Sequence, residues 1–296
     1  MGCAWADAKP LRLPANVWLV ANLADLLEMN APDTPWKRTH AVLTEPGNII
    51  EPLQSTIRFG AVFHGGQYDQ PMCPTLRRLE PAVGNFAALR DLFPATPPVG
   101  NDSEAAYALE SIRDWQMSSD PSQASNTVVL VRGFTSEIVC EADAPPGMPG
   151  NSSTPGYERL RDDIASLRGL GIRTFVITMD DSPGFFMADA SRLFAQLGGT
   201  LTPYGAASAD ELKVSLQAVF SDAISCDIQL AGTVSAGEEC RGEVSLDDEL
   251  LACNGADGWR LKGDSTVELV GAACERIRQS PHLSIRARFP CDVILL

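Results

Sequence analysis

The amino-acid sequence predicts an α/β protein: a doubly wound, mostly parallel sheet followed by a small antiparallel β-module that carries disulfides. Two observations predict this fold class. Up to about residue 224, short apolar runs that end on polar residues alternate with amphipathic stretches, which is typical of strands buried on both faces of a parallel sheet. Beyond that point apolar and polar residues alternate between turn signals, and five of the eight cysteines lie there. We expect a lead-in at residues 1–15, an α/β domain at 16–224 and a cysteine-rich β-module at 225–296.

The first strand is predicted at residues 17–21, an uninterrupted apolar run that ends at Asn22. In a parallel sheet the carboxyl end of such a strand is where a binding site forms, so the loop after Asn22 is the first candidate site. Residues 72–83 contain two prolines, which favours an antiparallel edge strand. Further apolar runs predict strands at residues 56–64, 126–132, 172–179 and 200–204.

Helix starts are indicated by capping residues. Asp33 or Thr34 can cap a helix that has Pro35 in its first turn, and Ser208 with Glu211 forms a capping box. These caps and the apolar spacing predict helices at residues 35–43, 85–93, 104–117, 157–170, 187–197 and 209–221.

Composition limits the possible partners. The formal net charge is -15, from 38 acidic and 23 basic residues, and no Lys/Arg-rich run offsets it locally. Nucleic acid and anionic membrane surfaces are therefore poor candidates as partners. The alternative is that the acidity merely keeps the protein soluble. No stretch reaches the roughly 18 apolar residues of a transmembrane segment.

From residue 16 to 224 the order of strands and helices, including the Leu-Gly-Ile-Arg-Thr-Phe-Val-Ile stretch at residues 170–177, resembles a von Willebrand factor type A domain. In that family the first strand ends in Asp-x-Ser-x-Ser. These side chains, with a Thr and an Asp from two later loops, hold a divalent cation that a carboxylate of the partner completes. The matching residues here are Asn22, Ala24 and Leu26.

The other two loops depart from the family pattern in the same direction. Asn101 stands at the Thr position and Arg132 at the Asp position. A guanidinium group is always protonated and cannot act as a ligand. The resemblance therefore implies a degenerate metal site, in which we expect Arg132 to fill the cation volume and to donate a hydrogen bond to Asn22 or Asp102. The alternative is that Asp25 and Asp102 still bind a cation weakly.

Eight cysteines without a Cys-x-x-Cys motif, and with only three histidines, favour disulfides formed in an oxidising compartment over a zinc site. Cys73 and Cys140 follow strand ends at the same edge of the predicted sheet, and we expect them to pair, the alternative being two buried thiols. In the C-terminal module the expected local pair is Cys240 with Cys253. The cysteines then left over are Cys226, Cys274 and Cys291.

This odd number gives Cys3 two possible roles. It can pair with one of the three C-terminal cysteines, or Gly2-Cys3 can be the remnant of a lipoprotein cleavage site with a lipid anchor on Cys3. Residues 1–15 lack the apolar core of a secretory signal, so we expect an export signal that lies upstream or has been removed. The expected location is extracytoplasmic, in the cell envelope of a bacterium or secreted.

No hydrolase, nucleotide-binding or zinc-protease motif is present, which argues against an enzyme and against a cofactor. The adjacent acids Asp180 and Asp181 fit helix capping or solvated charge better than acid–base catalysis. The resulting hypothesis is an exported protein-interaction or assembly module without a metal ion. Its alternatives are a Mg²⁺- or Ca²⁺-dependent adhesion module with an atypical site, and a structural subunit of an envelope complex.

Overall fold

The structure, a computed structural model, describes residues 4–22, 34–64, 76–94, 96, 105–118, 126–132, 153–179, 185–280 and 283–295. The chain divides into two compact units. One combines Met1–Ala15 with Ile224–Leu296, and the other is Asn16–Ala223.

The helices and strands are numbered in chain order. The strands are β1 (Trp5–Asp7), β2 (Leu11–Arg12), β3 (Ala15–Asn22), β4 (Ile57–His64), β5 (Arg77–Ala82), β6 (Asn126–Arg132), β7 (Arg173–Thr178), β8 (Tyr204–Gly205), β9 (Asp227–Gln229), β10 (Thr233–Val234), β11 (Glu243–Leu246), β12 (Glu249–Leu250), β13 (Trp259–Lys262), β14 (Thr266–Leu269), β15 (Ile285–Pro290) and β16 (Ile294–Leu295). The helices are α1 (Pro35–Thr44), α2 (Ile50–Leu53), α3 (Phe86–Leu92), α4 (Ala105–Ser118), α5 (Ser153–Gly169), α6 (Phe185–Leu197), α7 (Ala209–Ala223) and α8 (Ala272–Gln279).

The larger unit is built on a six-stranded sheet in the order β5-β4-β3-β6-β7-β8. Strands β3, β6, β7 and β8 pair in parallel, and β5 pairs antiparallel with β4 at the edge. Helices α4, α5 and α6 pack on one face, and α7 contacts β6 and β7 and packs against α1. The predicted doubly wound, mostly parallel sheet with an antiparallel edge strand is confirmed.

The central strands are buried on both faces, as their continuous apolar sequence predicts. Residues 15–21 of β3 are all buried, and β6 has the same character from Thr127 to Arg132. The parallel register pairs Ala21 with Val131, and Arg132 with Thr178. The carboxyl ends of β3, β6 and β7 therefore finish level with one another.

Two helix caps agree with the sequence prediction. Thr34 precedes α1, and its hydroxyl accepts a hydrogen bond from the Lys37 N–H at 3.2 Å. Ser208 accepts from the Glu211 N–H at 3.2 Å before α7. In both cases a side-chain oxygen satisfies an N–H group that the first turn leaves without a helical partner.

The boundaries of α5 and β8 are among those in the larger unit that differ from prediction. Helix α5 begins at Ser153, four residues before the predicted start. Strand β8 covers only Tyr204–Gly205 instead of residues 200–204, because the chain is still closing helix α6 at Thr200. The Thr200 N–H and hydroxyl both donate to the Ala195 carbonyl, and Gly199 takes the positive φ of 78° that this helix end requires.

The smaller unit contains the predicted antiparallel strands, arranged as β1-β15-β11-β12, β13-β14-β9-β2 and the pair β10-β16. Its apolar core includes Trp259, Phe289 and Val267. Within the predicted lead-in at residues 1–15, β1 pairs with β15 and β2 pairs with β9 of this unit. The two-residue length of β2 explains why no sequence pattern predicted it.

Helix α8 was not predicted. Its first N–H, from Ala272, donates to the Asp257 carboxylate at 2.9 Å, so the acceptor comes from a loop fifteen residues away. Ala273 and Ile277 are buried at a spacing of four residues, which is the apolar face of a short helix. The hydrogen-bond acceptor at the start of α8 thus comes from Asp257, outside the sequence next to the helix. For this reason no local capping pattern predicts the helix.

Two disulfides join described cysteines of this unit. The structure pairs Cys240 with Cys253, as predicted, and pairs Cys226 with Cys274, which ties α8 to the segment before β9. Cys291 is disulfide-bonded as well. Cys3, Cys73 and Cys140 lie outside the described residues, so the predicted Cys73–Cys140 pair and the lipid anchor on Cys3 stay predictions. Among the helices in the described ranges, none is both long and apolar enough to cross a membrane.

Candidate functional site

Polar residues end four neighbouring strands of the six-stranded sheet. Side chains alternate between the two faces along a strand, so residues two apart share a face. Each strand buries an apolar residue in the core under α4, α5 and α6 two positions before its end, namely Val20, Val62, Leu130 and Val176. The final residues of these strands therefore lie on that same face. We call the group the carboxyl edge: Asn22, His64, Arg132 and Thr178.

Arg132 is buried, with 5% of its surface exposed. Its guanidinium donates to the Ser191 hydroxyl at 3.4 Å, and the guanidinium carbon lies 5.0 Å from the ring centre of Phe194 and 5.8 Å from that of Tyr157. Contacts with aromatic faces compensate part of the cost of removing a cation from water. Arg132 is thus directed into the protein, between α5 and α6, and not to solvent.

His64 lies one strand beyond Asn22 and is 2% exposed. Neither of its ring nitrogens has a hydrogen-bond partner in the described part of the chain. Burial, and to a smaller extent the positive charge of Arg132, lower the pKa of His64 to about 3. The imidazole is therefore neutral at physiological pH.

A second guanidinium reaches the carboxyl edge from helix α1. Arg38 is 9% exposed, and it donates to the Met179 carbonyl at 3.2 Å. The N–H of the same Met179 donates to the Arg132 carbonyl at 2.8 Å. Both backbone polar groups of Met179, directly after β7, are therefore hydrogen-bonded: the carbonyl to Arg38 and the N–H to the Arg132 backbone.

The described side chains at the strand ends carry positive charge. This charge comes from the buried guanidinium groups of Arg132 and Arg38. The charge of Arg132 is one of the causes that lower the pKa of His64. A cation placed here would be repelled by the same charges. Within the described ranges, no group of three or more His, Cys, Asp or Glu side chains is arranged to hold a metal ion.

The structure brings together two of the predicted site residues. Asn22 ends β3, half-buried, and the register of β3 and β6 places it next to Arg132. Ala24, Asp25, Leu26, Asn101 and Asp102 lie outside the described residues. The hydrogen bond from Arg132 to Asn22 or Asp102 stays a prediction.

Sequence reasoning missed His64, Arg38 and Ser191. His64 carried a usable signal, because it is the polar residue at the end of an apolar strand, as Asn22 is. Arg38 and Ser191 lie within helices that read as ordinary amphipathic segments, and only the packing of those helices brings them to the strand ends.

A separate charged cluster joins α4 to α5. Arg159 donates to both carboxylate oxygens of Glu110, at 2.8 and 3.0 Å, and Arg113 donates to Asp163 at 2.8 Å. The other oxygen of Asp163 is buried and has no hydrogen-bond partner among the described residues. Burial, with the charge of Glu110 next, raises the pKa of Asp163 to about 6, against the opposing effect of the two arginines.

No protein-family model and no curated protein matches the sequence. Among solved structures, the pilus adhesin SpaC from Lactobacillus rhamnosus GG superposes with a TM-score of 0.50 at 11% identity, covering 95% of this chain and 39% of the adhesin. A variant of the PilB minor pilin from Streptococcus sanguinis gives a TM-score of 0.50 at 11% identity, over 70% of this chain and 61% of that one. A von Willebrand factor type A protein from Catenulispora acidiphila gives 0.49 at 12% identity, over 97% and 64%. The chain spans less than two thirds of each of these proteins, and likeness at such identity establishes the fold alone.

Proposed function

We propose that this chain is a non-catalytic, exported protein-interaction or assembly module of the von Willebrand factor A type, which binds its partner at the loop face without a metal ion. The observation that carries the proposal is the buried guanidinium of Arg132 at the end of β6. In the resembled family that position carries a carboxylate that serves the metal.

Charge supports the loss of the metal. Replacing Asp by Arg changes the formal charge at this position by two units, and Arg38 adds a second guanidinium at the same edge. A divalent cation would have to be bound against both. Since Arg132 packs on Phe194 and reaches Ser191, its position is fixed by contacts that do not involve a metal.

Two general features support binding at the loop face and export. In open α/β sheets ligands bind outside the carboxyl ends of the strands, which is where the polar carboxyl edge lies. The disulfides Cys226–Cys274 and Cys240–Cys253 favour an oxidising compartment. The pilus adhesin and the minor pilin that share the fold are consistent with a role in adhesion or assembly.

The metal question is tested by thermal melts of the oxidised protein in EDTA and in millimolar Mg²⁺, Ca²⁺ or Mn²⁺. A cation present at 100 times its dissociation constant would stabilise the protein by about 2.7 kcal/mol, so a bound metal would be seen readily. We expect the midpoint to stay unchanged. The double variant Asn22→Asp/Arg132→Asp restores two carboxylates and is the positive control. An upward shift of the unmodified protein would instead favour the metal-dependent adhesion module, with Asp25 and Asp102 as ligands.

Partner binding is tested by adhesion of protein-coated beads to cell-envelope fractions in EDTA. We expect Asn101→Arg, in a predicted loop of the binding face, to reduce adhesion. Val214→Arg on α7 is the matched control, because Val214 is 64% exposed and α7 is not part of that face. Equal adhesion of the two variants contradicts the proposal, and so does adhesion that EDTA abolishes. If no adhesion occurs, a structural envelope subunit becomes the better interpretation.

A further inference from the structure

The larger unit is an insertion in the smaller one. The smaller unit consists of Met1–Ala15 and Ile224–Leu296, so the chain leaves it before Asn16 and returns to it after Ala223. Its N-terminal part is held by backbone pairing, since β1 pairs with β15 and β2 pairs with β9. Both ends of the larger unit are therefore attached to strands of the smaller unit.

The two strands that carry these attachments, β2 and β9, are hydrogen-bonded neighbours. Their antiparallel register places Leu11 opposite Gln229, and paired Cα atoms in such a ladder lie about 5 Å apart. Between β1 and β2, the buried Ala8 adds two contacts. Its carbonyl accepts from the Ala231 N–H at 2.9 Å, and its N–H donates to the Ala287 carbonyl at 2.9 Å. While these contacts hold, the chain enters and leaves the larger unit at a fixed, short separation.

The larger unit brings its own two ends to one edge of its sheet. At the start of β3, the Asn16 side-chain amide donates to the side chain of Asn126, the first residue of β6, at 2.8 Å. At the start of β7, the Arg173 guanidinium donates to the carboxylate of Asp222, which is one residue before the end of the unit. Both ends thus lie at the amino ends of the parallel strands, opposite to the carboxyl edge.

We propose that the smaller unit shields the larger unit from tension along the chain. A force that pulls the two chain ends apart reaches Asn16 and Ala223 only by way of β2 and β9. While β2 stays paired with β9, the two attachments cannot separate, so the larger unit is not stretched. The carboxyl edge is then not distorted by a load that the smaller unit alone bears. This inference does not depend on the proposed function, because it follows from the strand pairing and the chain connectivity.

Single-molecule pulling tests the order in which the two units open. Handles are attached at the two chain ends of Cys291→Ser, which removes the disulfide of Cys291 from the load path, and the protein is kept oxidised. We expect short extensions of the smaller unit first, since the Cys226–Cys274 disulfide prevents the stretch between these cysteines from lengthening. The larger unit should then extend by roughly 700 Å, because an unfolded residue spans about 3.5 Å. A long extension that precedes or replaces the short ones overturns the proposal.

A second measurement does not depend on the folding of Cys291→Ser. The unmodified protein, pulled from the same handles in a reducing buffer, should open in the same order. Its first extensions should be longer than those of the oxidised variant, because no disulfide restrains the smaller unit. A long extension of the larger unit at the start of these traces contradicts the shielding as well.

Handles placed directly on the larger unit give the matched control. Val83→Cys/Leu201→Cys provides them, because both side chains are exposed, at 52% and 87%, and both belong to that unit. Tension now bypasses β2 and β9, so we expect the larger unit to extend without the short extensions. If the same short extensions come first in this geometry too, they do not arise from the smaller unit and the proposal fails.

Discussion

Replacing the buried histidine of β4 should remove much of the acid sensitivity of the larger unit. His64 is 2% exposed, its ring nitrogens have no hydrogen-bond partner among the described residues, and its pKa is lowered to about 3. In the unfolded chain a histidine titrates near pH 6.5. Below that pH the unfolded state takes up a proton that the folded state does not, so folded stability is lost as the pH falls from about 6.5 towards about 3.

The magnitude follows from linkage. Each pH unit in this window costs about 1.4 kcal/mol, so acidification from pH 6.5 to pH 4 removes about 3 kcal/mol through His64 alone. His64→Leu has no titrating group and should not show this loss. At neutral pH the same variant should be more stable by roughly 1 kcal/mol or more, because two buried polar atoms without partners are removed.

Urea unfolding at pH 7, 6, 5 and 4 measures this effect. The quantity of interest is the difference in unfolding free energy between His64→Leu and the unmodified protein at each pH, since the contributions of other groups cancel in it. Val62→Leu, two residues earlier on the same strand, is the control and should give a difference that does not vary with pH. If the difference for His64→Leu is also constant from pH 6.5 to pH 4, the imidazole is not held neutral and the reasoning is refuted.

Three further changes have expected outcomes. The folded-state pKa of Asp163 is about 6 and lies above the unfolded value of about 3.9. Because the folded state binds the proton more tightly, this carboxyl makes the protein more stable as the pH falls through that window, by up to about 3 kcal/mol. Urea unfolding of Asp163→Asn should show that this gain is lost. Cys226→Ser/Cys274→Ser opens a loop of sequence separation 48 and should cost about 4 kcal/mol, with faster amide exchange in α8; an unchanged exchange rate would argue against the tether. Gly198→Ala should lower the melting temperature, because a Cβ there would collide with a backbone carbonyl of β7, whereas Gly169→Ala meets no atom within 4 Å and should not lower it.

Part of the candidate site could be predicted and part could not. Asn22 was found because it ends an uninterrupted apolar strand, and Arg132 because it stands at the Asp position of the resembled family. Level strand ends in a parallel sheet bring the two residues together. The partners of Arg132 on α5 and α6, and the approach of Arg38 from α1, depend on how helices distant in sequence pack on the sheet. No local pattern contains that information.

The sequence by itself determined the features that depend on neighbouring residues. Buried strands follow from apolar runs, the starts of α1 and α7 follow from capping side chains, and the Cys240–Cys253 disulfide joins cysteines close in sequence. Tertiary structure alone decided that β1 joins β15, that α8 starts on the carboxylate of Asp257, and that Arg132 sets a positive field around His64. Each of these depends on groups far apart along the chain, whose contact energy is gained only after the chain has folded.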